Sequence, residues 1–425
     1  MDRRALLATA GAALATFHPD AVGRARAAAT RAAGRTPDAI AADEDFWFQV
    51  RDAFTIDRNS INLNSGSVSP APQVVQRAME DYLRIMNMSP ALYVDEFLIP
   101  QREVVRGRLA AAFGCSPEEI AITRNTTEAL ETVLFGLDLK PGDEVLTTTQ
   151  DYPSMLASWR QRERRDGLVL RTVPFPVPPP SLDDLSQRIE RAITPRTRVI
   201  MICHVTYTTG QIFPVQRICR MARERGIETL VDGAHGFAHF PFRVDDLECD
   251  YYGTSLHKWL TAPVGTGFLY VRRDKIARLW PHWGAPAELD GDIRKFESIG
   301  THSVAPLNAI TEALTFYESI GPARKAARLR YLGARWVDRV AALRGVRVLT
   351  PSDPEQACGL GAMSIDGVDA DALTDYLLKK HQIHVRPRFV PGEFSCIRVT
   401  PNVFTTLAEI DAFSSGIEAA VRQLA

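Results

Sequence analysis

The sequence predicts an α/β protein with a large domain on a mainly parallel, seven-stranded sheet flanked by helices, followed by a small α+β C-terminal domain. Three observations carry this. From about Glu119, short apolar strands alternate with longer amphipathic stretches, the order expected when each parallel strand returns through a helix. Several strands, VIMICHV and IETLV among them, are apolar throughout rather than alternating, as strands covered on both faces must be. After about Tyr317 a basic helical stretch leads into shorter strands that enclose single helices.

The candidate strands of the large sheet are EIAIT (119–123), EVLTTT (144–149), LVLRTV (168–173), RVIMICHV (198–205), IETLVD (227–232), DYYGTS (250–255) and GTGFLYV (265–271). Between them lie helical patterns such as TTEALETVLFGL (126–137) and VQRICRMARERG (215–226), the second ended by Gly226. The Pro-rich VPFPVPPP (173–180) is neither helix nor central strand and reads as a stiff surface connection. In the C-terminal unit GAMSID, HVRPRF and SCIRVT are strands around the helix DADALTDYLLKK, and a last helix starts near Leu407. The expected organisation is a leader or disordered segment over 1–35 and a segment over 36–60 that packs with the small domain. The large domain then spans 61–315 and the small domain 316–425.

With 425 residues, 45% hydrophobic and 24% charged, the chain is a globular protein and not a disordered or low-complexity one. Its 50 basic and 51 acidic residues give a net charge of −1. That lacks the basic excess of a protein that binds nucleic acid or an anionic membrane surface. No run approaches the roughly 18–20 apolar residues that span a bilayer. The expected partner is a small molecule. The six cysteines (Cys115, Cys203, Cys219, Cys249, Cys358, Cys396) are scattered, without zinc-like spacing, and read as small core residues; no metal is expected. At the N-terminus, Asp2-Arg3-Arg4 precedes an apolar stretch from Ala5 to Phe17, and Ala25-Arg26-Ala27 has the small-x-small form of a cleavage site. This resembles a twin-arginine export signal, which implies a periplasmic or exported protein. The alternative is an Ala/Arg helix with no address function and a cytoplasmic protein.

The chemistry concentrates in YYGTSLHKWLTAPVGTGFLYV (251–271), where Lys258 follows Ser255 and His257 at a strand end. A lysine there is either a surface side chain or a Schiff-base former held at a fixed point. Asp232, in DGAH (232–235), ends the strand IETLV. It is either a helix N-cap or a carboxylate facing the crevice at the carboxyl end of a parallel strand. Paired with Lys258, the acid would keep the ring nitrogen of pyridoxal phosphate (PLP) protonated. In TRNTTEAL (123–130), Asn125 and Glu128 form a capping-box-like helix start. The same geometry offers free N–H groups to a phosphate, with Thr126 and Thr127 adding hydroxyls and Ser255 and His257 approaching from the other side.

Together the motifs NLNSGSVSPAP, TRNTTEAL, HVTYTTGQIFPV, VDGAH and SLHKW resemble those of the class V aminotransferase superfamily. These are fold type I PLP-dependent enzymes that include cysteine desulfurases and isopenicillin N epimerase, the latter branch being the most similar. The resemblance implies that Lys258 is the Schiff-base lysine and the acid/base at Cα, and that Asp232 is the pyridinium partner. It implies Thr126, Thr127, Ser255 and His257 as phosphate ligands, His235 near the ring's phenolic oxygen, and Tyr152 as the ring stacked on the cofactor. Thr301 corresponds to a residue contributed by the neighbouring subunit of a homodimer. Arg398, in SCIRVTP, matches the arginine that forks the substrate α-carboxylate, and Arg386, in HVRPRF, is a candidate second anchor.

Two departures bear on the reaction. The segment PRFVPGEFS between the two arginine strands has no cysteine, whereas desulfurases of this type carry their nucleophile there. Tyr207 stands where many relatives have Asn or Ser, and is either an acid/base opposite Lys258 or a donor that tunes the ring. The expected activity is PLP chemistry at Cα of an amino acid or amino-acid derivative, epimerase-like. An aminotransferase, a C–S or C–N lyase, or a non-catalytic binder are the alternatives.

Overall fold

The computed structural model describes residues 19–424. In chain order the strands are β1 (Ile61–Asn62), β2 (Ile120–Thr123), β3 (Glu144–Thr148), β4 (Val169–Val173), β5 (Thr197–Cys203), β6 (Glu228–Asp232) and β7 (Tyr251–Ser255). They continue as β8 (Gly267–Val271), β9 (Val346–Val348), β10 (Gly361–Ile365), β11 (Ile383–His384), β12 (Arg386–Val390) and β13 (Phe394–Val399). Strands β2 to β8 form one sheet in the order β2-β8-β7-β6-β5-β3-β4. Every neighbouring pair is parallel except at β8, which runs against both β2 and β7. Each of the seven candidate strands is present within two residues of its expected ends.

The continuous apolar runs have the cause expected of them. Along β5, Ile200 and Ile202 belong to the core on one face of the sheet, Val199 and Met201 to the core on the other. The helix Val215–Glu224 covers the first face through Ile218, Cys219 and Ala222, while Leu130, Val133 and Leu134 of the helix Thr126–Gly136 cover the second. Because six strands point the same way, their carboxyl ends share one edge, the place where an α/β sheet offers a crevice.

The small domain is an antiparallel sheet, β12-β13-β10-β9, packed on the helices Ala370–His381 and Leu407–Leu424. Its boundary differs from the sequence expectation at both ends. β1 pairs in parallel with β11, and Leu63 sits in the small-domain core, so residues 61–63 belong there rather than to the large domain. The helix Pro322–Val340 is shared. Ala326 and Leu329 pack in the large core, Leu332, Trp336 and Val340 in the small one.

The N-terminal segment also differs. Arg3, Arg4 and the apolar stretch to Phe17 lie outside the described residues. The expectation of disorder up to residue 35 is corrected from Pro19 on: Pro19–Arg31 is a helix whose Ala25 and Ala28 are buried, as is Ala32 after it. These alanines recur on one helical face, and their small side chains let the helix pack closely on the helices Glu44–Arg51 and Ile310–Ile320. Ala25-Arg26-Ala27 thus lies inside a packed helix. Residues 36–60 dock through buried charge: Arg328 donates to Ala41 O and pairs with Glu44, and Arg51 pairs with Glu409 at 2.7 Å. None of the described helices is long and apolar enough to cross a membrane.

One glycine sets how closely the parts of the crevice approach. Gly267 starts β8 beside both Ser255 and Thr123, and a Cβ there would lie 2.5 Å from Thr254 O and 2.9 Å from Asn125 Cα. Both contacts are backbone, which cannot swing away. Gly267→Ala is expected to cost about 1–3 kcal/mol of stability by overpacking, read as a lower urea midpoint with unchanged m-value.

Candidate active site

A cleft of about 370 Å³ opens at the carboxyl edge of the sheet. It is lined by Thr126, Thr127, Tyr152, Tyr207, Asp232, His235, Ser255, His257, Lys258 and Arg398, ten of the twelve residues singled out from the sequence. Asp232 is the last residue of β6, and Ser255 the last of β7, three residues before Lys258.

Burial sets the charge of almost every group here. Asp232 Oδ1 accepts from Ala234 N–H at 2.9 Å, and Oδ2 has no hydrogen-bond partner among the described residues. Desolvation lifts its pKa to about 6, although the Ala234 N–H and the Lys258 charge oppose the rise. Lys258 moves the other way, to about 8. Desolvation comes first, Asp232 opposes it, and Arg398 and Arg388 add to it. A second carboxyl, Asp151, was not anticipated. It accepts from Thr147 Oγ1 (2.7 Å), Thr148 N–H (2.8 Å) and the Cys203 thiol (3.1 Å), and its field contributes to the raised pKa of Asp232.

The other end of the cleft is a helix N-terminus. Asn125 caps the helix Thr126–Gly136 with its side chain accepting from Glu128 N–H at 2.8 Å, so the N-cap reading is borne out, and the helix N-terminus faces the cleft as an anion site would require. Ser255 Oγ accepts from Thr126 N–H (2.9 Å) and lies 2.7 Å from Thr126 Oγ1, locking helix start to strand end. His257 Nδ1 donates to Thr266 O at 3.2 Å, and burial depresses its pKa to about 4. A phosphate dianion alongside would favour the imidazolium, which donates from both nitrogens. His235 is neutral through burial; its Nδ1 accepts from Trp259 Nε1–H at 3.3 Å, which leaves Nε2–H as the ring's donor.

The outer part of the cleft carries Tyr207, Tyr152 and the arginines. Arg398 is 1% exposed and donates from Nη1 to Tyr207 O (3.1 Å) and from Nη2 to Ser67 Oγ (2.8 Å) and Asn64 Oδ1 (3.2 Å). Tyr207 meets Tyr152 edge-to-face at 5.4 Å. Burial raises the Tyr207 pKa to about 12, while the charges of Arg388 and Arg398 pull it back.

Two expected residues are elsewhere. Arg386 faces Arg398 across the β12–β13 ladder but is exposed and outside the cleft; Arg388, two residues on, lines it instead. The alternation in Arg386-Pro387-Arg388 puts both arginines on one strand face, so the pair was legible, and only the position of the strand against Tyr207 selects Arg388. Thr301 is exposed and away from the cleft of its own chain. Ser67 and Gly66 were also missed; they line the cleft because residues 65–69 are stitched to Thr400, to the His257 carbonyl and to Asn402. Long-range pairing of that kind leaves no local signal.

The cleft asks for one kind of ligand: an anion at one end, a ring nitrogen for the free Asp232 oxygen, and a carbonyl for an amine that deprotonates easily. Pyridoxal 5′-phosphate meets all three, and the chain is a PLP-dependent enzyme of fold type I. Residues 61–400 match the family model Aminotransferase class-V, and the chain belongs to that family. It is 32% identical over 391 residues to an isopenicillin N epimerase of Amycolatopsis lactamdurans, covering 88% of this chain and 98% of that protein. A probable cysteine desulfurase of Pseudomonas aeruginosa is 32% identical over 340 residues, covering 76% of this chain and 82% of the relative. Among solved structures, the cysteine desulfurase CsdA of Escherichia coli superposes with a TM-score of 0.77 at 24% identity, covering 89% of this chain and 99% of the other.

Lys258→Ala is expected to abolish the visible absorbance of covalently attached PLP while the fold survives. In the wild type, attachment requires the neutral amine. Its rate on adding PLP to the apo-protein should therefore rise with pH and level off above about 8, as followed by stopped-flow absorbance.

Proposed function

We propose that this enzyme inverts or exchanges the Cα proton of an amino acid or amino-acid derivative, as an epimerase. One observation carries the reading: two proton carriers enter the cleft from strands on either side of the one that bears Asp232. Lys258 follows β7 and Tyr207 follows β5, with β6 between them. When bound, PLP supplies an electron sink that acidifies Cα–H. Lys258, with its depressed pKa, takes that proton as the free amine. Tyr207 stays protonated at neutral pH, and its hydroxyl has no hydrogen-bond partner among the described residues, so it is free to deliver a proton from the opposite side. The phenolate left behind is stabilised by Arg388 and Arg398, and both carriers reset through solvent. Arg398 holds the α-carboxylate and keeps Cα between them.

The similarity to isopenicillin N epimerases over 88% of the chain supports this reading. Sulfur transfer by a loop thiol lacks support. The turn between β12 and β13 is Pro391-Gly392-Glu393, and Cys396 is buried with its thiol pKa pushed up to about 12. We further propose a homodimer in which Thr301, exposed here, serves the partner's cleft. Sedimentation equilibrium of the holoenzyme should give twice the chain mass.

In D2O, the wild type is expected to incorporate deuterium at Cα with inversion, read by chiral chromatography and mass spectrometry. Tyr207→Phe should lower inversion by about 100-fold or more while retaining Lys258-side exchange without inversion. Release of pyruvate, sulfide or ammonia from the same amino acids would instead assign a lyase.

A further inference from the structure

The described residues contain five buried arginines, and four have a carboxylate partner: Arg51 with Glu409, Arg106 with Glu297, Arg162 with Asp166 and Arg328 with Glu44. Arg398, the fifth, has none among the described residues, and its Nε is buried without a hydrogen-bond partner. Arg388 repeats the pattern. Its Nε is likewise buried and unpartnered, its Nη1 donates to the Pro387 carbonyl (3.2 Å), and its guanidinium lies over the Tyr207 ring at 5.4 Å.

Two guanidiniums that cannot lose their protons therefore line one cleft, and neither is paired with a carboxylate among the described residues. Burial disfavours the charged form of both, the charge of Arg388 adds to this at Arg398 and that of Arg386 at Arg388, so the arrangement is costly until anions arrive. One α-carboxylate supplies one negative charge. That matches Arg398 and leaves Arg388 uncompensated. The two meet different parts of Tyr207, Arg398 its backbone carbonyl and Arg388 its ring face, so they present two separate anchoring points.

We propose that Arg388 binds a second anionic group, a carboxylate carried on the substrate's side chain, so that the enzyme selects amino acids or amino-acid derivatives with a distal carboxylate. This rests on the reading that an amino-acid carboxylate binds at Arg398. Tyr207 orients the selecting arginine through its ring face, and Tyr152 packs edge-to-face on Tyr207.

The test uses the holoenzyme and two unreactive probes of equal chain length, glutarate with two carboxylates and pentanoate with one. Binding is read by calorimetry and by perturbation of the cofactor's visible absorbance. Glutarate should bind about tenfold or more tighter than pentanoate. Arg388→Gln should erase that preference by weakening glutarate alone, Arg388→Lys should restore part of it, and Arg398→Gln should weaken both probes. Retained cofactor absorbance in each variant establishes that it is folded. Equal binding of the two probes by the wild type, or equal weakening of both by Arg388→Gln, would overturn the second subsite and leave the amino-acid site standing. If neither probe binds and Arg398→Gln changes nothing, the amino-acid reading falls with it.

Discussion

Exclusion of water from the carboxyl edge of the sheet is the constraint on which the rest of this site depends. In that cleft every group able to shed its charge is driven to do so. Lys258 and the two histidines are pushed toward their neutral forms, Asp232 toward its acid, and Tyr207 is held as the phenol. The guanidiniums alone cannot follow. The chain's own groups thus form an electrostatic mould: a buried acid suited to a cation, a helix N-terminus suited to an anion, and two arginines unpaired with any carboxylate among the described residues. PLP and, on the proposed function, an amino acid would supply the complementary charges, and desolvation would then favour ligands that carry them.

Such a cleft needs walls that do not yield, and two pieces of chain provide them. Residues 63–69 run from the small-domain core, along Thr400, to the carbonyl of His257 beside the reactive lysine. The helix Pro322–Val340 contributes to both cores, and its buried Lys325 donates to the carbonyl of Trp259, the residue after Lys258. Trp259 is in turn stacked on His239 at 3.6 Å and donates to His235. The lysine turn is therefore held from both domains at once. Position at the reacting atom is inherited from packing at some distance from it.

Family membership sets the shared PLP chemistry and does not by itself choose the reaction. This chain is as similar to epimerases as to a desulfurase in percentage identity, although the epimerases are matched over more of their length. The difference with chemical content is local: a three-residue turn without a thiol between β12 and β13, and a tyrosine after β5. The cysteines near the cleft, Cys203 and Cys396, are buried and held as thiols by desolvation.

The sequence by itself determined the architecture of the large domain and most of its site, because both are written locally. Continuous apolar runs can only be doubly covered strands, and Asp232, Ser255 and Lys258 stand at or just beyond strand ends, which a parallel sheet must bring to one edge. The short β1, β9 and β11 left no comparable signal, nor did the burial of Ala25 and Ala28, since an Ala-rich stretch fits a leader as well as a packed helix. Tertiary structure alone decided which arginine of Arg386 and Arg388 enters the cleft, that Asp151 acts on Asp232, and that Ser67 supports Arg398. Each of these depends on how segments remote in sequence are docked, and docking depth is not encoded in the periodicity of any one of them.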